Sequence, residues 1–91
     1  MPSQTIALMN ATGLHARPAK VFAEAAAATG LDVRLTKGDT TVNARSVLSV
    51  LTLDCHHGDE VTISVEGDGA TDVLDHLVSL VASGLGEPAA P

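Results

Sequence analysis

Residues 60–66 read Glu-Val-Thr-Ile-Ser-Val-Glu, a strict alternation of polar and apolar side chains. Successive side chains of a strand point to opposite faces. This segment therefore has one wet face and one face, Val61, Ile63 and Val65, that must be covered. Such a strand needs neighbours in a sheet and an apolar layer above it. Thr5-Ile6-Ala7-Leu8 supplies a first short strand with Ile6 and Leu8 inward. Asp32 to Lys37 and Thr40 to Asn43 alternate as well, and the turn pair Gly38-Asp39 between them makes them a hairpin.

The covering layer comes from segments of helical period. Ala16 to Thr29 is rich in Ala, Glu, Lys and Val, places Val21, Phe22 and Ala25 on one face, and meets a stop at Gly30. Ser46 to Leu53 is short and apolar. Its length, and the polar Asn43 and Ser46 ahead of it, predict a short capped helix rather than a strand. His56-His57-Gly58-Asp59 reads as a turn. After Gly67-Asp68-Gly69, the residues Val73, Leu74, Leu77, Val78 and Val81 recur as on one helix, which Gly84 ends. The order is β-α-β-β-α-β-α, a two-layer sandwich of sheet and helices. Residues 1–85 make one domain and residues 86–91, rich in Pro and Ala, a disordered tail.

Composition narrows the function. The net charge is −6, and the five basic residues, Arg17, Lys20, Arg34, Lys37 and Arg45, all fall between positions 17 and 45. Nucleic-acid binding needs clustered cations over a broad surface and is not expected; a local anion is. Phe22 is the only aromatic residue, so the core is built from Val, Leu, Ile and Ala. Cys55 is the only cysteine, which excludes an internal disulfide and suits a reducing cytoplasm. The N-terminal Met-Pro-Ser-Gln-Thr-Ile-Ala-Leu-Met-Asn has no basic start and no long apolar run, so no signal peptide and no membrane insertion are expected.

The stretch Gly13-Leu14-His15-Ala16-Arg17-Pro18-Ala19 carries the chemistry. Proline is tolerated in a helix only in the first turn, where its missing N–H costs nothing. The helix must therefore begin near Ala16, which places His15 at the cap. The first N–H groups of a helix lack partners and carry the positive end of its dipole, so Ala16 and Arg17 border an anion site. The Arg17 guanidinium adds a fork suited to phosphate oxygens. A neutral imidazole is a nucleophile near pH 7. These parts suit a histidine that accepts a phosphoryl group and gives it up again. The plain alternative is a loop entering a helix.

This stretch, together with Asn43-Ala44-Arg45-Ser46-Val47-Leu48, resembles the HPr family, the histidine-containing phosphocarriers of the bacterial phosphoenolpyruvate:sugar phosphotransferase system. The resemblance implies an α+β open-faced sandwich: a four-stranded antiparallel sheet of order 1-4-2-3 with three helices on one face. It implies that His15 takes the phosphoryl group on Nδ1, that Arg17 contacts it, and that no cofactor is used. The implied donor is Enzyme I charged by phosphoenolpyruvate, and the implied acceptors are the IIA domains of sugar transporters. Such a carrier is expected to act as a monomer with no turnover of its own. Leu14, Val47, Leu48 and Leu51 are the implied docking face, whereas Val50 and Leu53 read as core. In some bacteria a kinase phosphorylates the serine that matches Ser46, with further regulators downstream; the other reading of Ser46 is a helix cap. The chain departs from the common pattern at Arg45, where Lys is usual, and at Leu48 and Leu51, where methionines are common. An alternative is a paralogue serving a regulatory relay, nitrogen-related or allosteric, instead of sugar uptake.

Two weaker signals stand apart. Cys55-His56-His57 invites a metal, but neighbours on an extended segment point opposite ways and a closed zinc site needs four ligands. No metal is expected. His76, among Asp72 and Asp75, reads as a surface residue.

Overall fold

The hairpin joins β2 (Asp32–Lys37) to β3 (Thr40–Asn43), and Gly38 turns between them with φ of +59°, a conformation glycine adopts without penalty. The computed structural model describes residues 2–8, 16–56 and 58–83. β1 (Ser3–Ala7) and β4 (Glu60–Glu66) complete an antiparallel sheet of order β1-β4-β2-β3. The central strands pair Val33 with Val65 and Leu35 with Ile63; on the flanks Ile6 faces Val61 and Leu35 faces Val42. All of these side chains share one face of the pleat, and Val33, Leu35, Val61, Ile63 and Val65 are buried.

The other face is polar. Thr5, Thr62, Thr36 and Thr41 form a row across all four strands, with hydroxyl pairs Thr5–Thr62 and Thr36–Thr41 at 2.8 Å. The helices cover the apolar face. α1 (Ala16–Ala28) packs against α2 (Val47–Leu51) and α3 (Ala70–Ala82); α3 lies on β4 and β1, and α2 on β3. Phe22, Ala19 and Ala26 from α1, Val50 from α2, and Leu74, Leu77 and Val81 from α3 meet the strand residues in one core. The α+β architecture and the strand order are those expected.

Several boundaries differ from the sequence reading: α1 ends at Ala28 rather than Thr29, α2 ends at Leu51 rather than Leu53, and both ends of β1 shift. β1 begins at Ser3 rather than Thr5, because Ser3 and Gln4 pair with Ser64 and Ile63 although their side chains are exposed. Leu8 lies just beyond β1 yet is fully buried, and its N–H and C=O bond to Asp59 and Gly58 at 2.9 Å. The expected loop at 10–15, with Leu14 and His15, lies outside the described residues, as do His57, the Gly84 stop and the 86–91 tail.

Candidate functional site

α1 begins at Ala16, so Pro18 falls in its first turn as the sequence requires. Pro18 and Ala19 are buried, while Arg17 and Lys20, three residues apart on the helix, are exposed. The first turn holds no acidic residue. A helix N-terminus favours anions by about 0.3–1 kcal/mol, and a cation there is disfavoured on the same ground. Arg17 therefore does nothing for the helix that carries it. Arginine at an N-terminus adds positive charge to positive charge, an arrangement that an external anion relieves.

α2 is the neighbouring element. Ser46 is its N-cap, in an extended conformation with φ of −107°, and its Oγ accepts from the Ser49 N–H at 3.3 Å. The capping reading of Ser46 thus has a geometric basis. The helix presents two faces. Val50 and, just past its end, Leu53 are buried, while Leu48 is 77% exposed and Leu51 36%. Val47 is partly buried against the core. Leu48 and Leu51 are the only large apolar side chains exposed among the described residues. Isolated exposed leucines are ordinary; two of them three residues apart on one short helix form a patch. His15 and Leu14 lie outside the described residues, and of Ala16 only the backbone is described.

The Cys55-His56 segment divides between the interior and solvent. Cys55 is 2% exposed and belongs to the core, and burial pushes its thiol above the usual range. His56 is exposed, with its ring nitrogens 3.5 Å from Asp54 Oδ1 and 3.6 Å from Asp59 Oδ2. The thiol faces the interior and the imidazole faces solvent. Among the described residues no three metal-ligating side chains come together. His76 lies on the exposed side of α3.

Sequence reasoning passed over Lys37. It stands at the end of β2 in the same alternating set as Val33 and Leu35, so its stem starts on the core face of the sheet. Its Nζ donates to the carbonyl oxygens of Leu53 at 3.3 Å and Asp54 at 2.8 Å, and pairs with Asp59 Oδ2 at 3.1 Å. The signal was present: a lysine at an inward strand position must extend its head to an acceptor.

Comparison with known proteins places these features in a family. A family model described as "PTS HPr component phosphorylation site" matches residues 2–83. The chain is 47% identical over 78 residues to a phosphocarrier protein HPr of Streptomyces coelicolor, covering 85% of this chain and 84% of that one. Among solved structures it is similar to HPr-C-His from Thermoanaerobacter tengcongensis, with a TM-score of 0.91 and 36% identity over 97% of this chain and 99% of that one. An HPr from Bacillus anthracis superposes with a TM-score of 0.84 at 31% identity, over 88% and 95% of the two chains.

Proposed function

The chain belongs to the HPr family of phosphocarriers of the phosphotransferase system, and we propose that it accepts a phosphoryl group on His15 from phosphorylated Enzyme I and passes it to the IIA domains of sugar transporters. One observation carries this reading: an exposed Arg17 in the first turn of α1, two residues after His15 in the chain, where positive charge serves an anion and not the helix. In the transfer, the lone pair of a neutral imidazole nitrogen attacks phosphorus as the bond from phosphorus to the donor breaks. Arg17 and the N-terminal amides of α1 balance the charge on the equatorial oxygens, which is the main work of a phosphoryl-transfer site.

Docking falls to Leu48, Leu51 and the exposed part of Val47, with Leu14 completing the face. A small apolar patch suits brief contact with partners in turn, so one surface serves donor and acceptor. The carrier works in the cytoplasm as a monomer, consistent with a single buried Cys55. Phosphorylation of Ser46 by a kinase would replace its capping hydroxyl by a charged group and repel an acidic partner.

The test mixes the protein with Enzyme I and labelled phosphoenolpyruvate. The expected product carries acid-labile, alkali-stable label, the signature of a phosphoramidate, and passes it to a IIA domain. His15→Ala should take up none. Label that persists in His15→Ala overturns the assignment.

A further inference from the structure

α2 has five residues, far too few for a helix to hold itself together. Its pose is set by what grips it. Ser46 caps the N-terminal end and Val50 anchors the middle. The C-terminal end unwinds through Thr52 and Leu53 to Asp54, whose φ of +51° makes it the single non-glycine residue in the left-handed region among the described residues. A side chain in that conformation persists where its surroundings hold it. Here the holding group is the Lys37 ammonium. Its three acceptors are the carbonyls of Leu53 and Asp54 and the Asp59 carboxylate, all within 3.3 Å. An ammonium has three donors, so its capacity is fully used. Asp59 is fixed in turn by the His56 N–H at 2.9 Å. One cation thereby ties the end of β2, the exit of α2 and the start of β4 into a clip.

We propose that Lys37 is a positioning residue for partner docking: by gripping the exit of α2 it holds Leu48 and Leu51 in the pose that Enzyme I and the acceptor engage. The proposal rests on the carrier reading above. Lys37 touches no reacting atom in this scheme, so losing it weakens association and leaves the chemical step alone. Lys37→Met keeps the stem and removes the charge; Lys37→Arg keeps the charge.

The experiment measures phosphoryl transfer from Enzyme I with the carrier as varied substrate, alongside amide hydrogen exchange. For Lys37→Met, KM should rise about tenfold with kcat within about twofold, the loss expected for charged hydrogen bonds that set a pose. Lys37→Arg should recover most of the KM. Exchange at residues 49–54 should quicken while the amides of β4 and α3 stay protected. An unchanged KM in folded Lys37→Met overturns the proposal, and so does a loss in kcat as large as that in KM. If Lys37→Met does not fold, Asp59→Asn serves in its place, with a smaller KM rise expected and an unchanged KM overturning the proposal. A wild-type protein that Enzyme I does not phosphorylate refutes the carrier reading instead. The clip is then judged by exchange alone, and unchanged exchange at residues 49–54 refutes it.

Discussion

Arg17 and Cys55 are residues whose environments explain opposite behaviours. Arg17 is exposed where a helix gains nothing from it, so Arg17→Ala should leave thermal stability unchanged within about 0.5 kcal/mol or raise it slightly. Transfer by the same variant should slow by at least tenfold, mainly in kcat, as lost charge stabilisation in the transition state requires. Normal transfer by Arg17→Ala would leave the arginine without a role in the carrier. Cys55 is closed off from solvent. Burial raises its thiol above the ordinary value of 9.0, so the folded state favours the neutral form. Its contribution to stability is complete below pH 9.0, where both states are protonated. It is lost as pH climbs toward the raised folded value, because only the unfolded chain releases the proton. Denaturant titrations above pH 9 should show this fall, and Cys55→Ala should flatten it.

At the scale of the element, α2 is the informative case. Its neighbouring positions take different fates, Leu48 outward and Val50 inward, although both are aliphatic. Leu48→Glu should block phosphorylation by Enzyme I with stability shifted by no more than about 0.5 kcal/mol, since it changes a surface position. Val50→Glu should cost several kcal/mol and unfold the domain, because it strands a charge in the core. Circular dichroism melts beside a transfer assay separate the two. A Leu48→Glu protein that transfers at the wild-type rate would remove α2 from the docking face. The clip gives the same element a pH dependence. The His56 N–H and then Lys37 hold the Asp59 carboxyl below its ordinary value, and Asp59 holds Lys37 above its own. The pair therefore stabilises the fold from above the ordinary Asp59 value of 3.8 up to the ordinary Lys37 value of 10.5. It lets go when acid protonates Asp59 below that window or when alkali strips Lys37 above it. Amide exchange at residues 49–54 should quicken at both ends.

For the whole molecule, the largest fully buried side chain among the described residues is an aromatic one. Phe22 is fully buried where α1 covers the sheet and is the only aromatic residue in the chain. Phe22→Ala should cost about 3–5 kcal/mol, a large share of the roughly 5–15 kcal/mol that holds such a domain, and lower Tm by more than about 10 °C. Phe22→Leu should cost well under half as much. The strands and the hairpin were legible in the sequence because alternation and turn chemistry are local: Asp32–Lys37, Thr40–Asn43 and Glu60–Glu66 are strands with the bounds their patterns predict. The start of α1 was legible for the same reason, since Pro18 is confined to a first turn. Strand order was not, because nothing local to β1 and β4 says that they pair; family resemblance supplied the order, and the register of β1 on β4 carries it. Neither was Lys37 legible as a clip. A lysine seeks acceptors wherever its stem leads, and the carbonyls of Leu53 and Asp54 reach it only after β2, the exit of α2 and the start of β4 have been brought together. Periodicity along the chain determined which residues face inward, whereas the meeting of groups far apart in sequence was decided by tertiary packing.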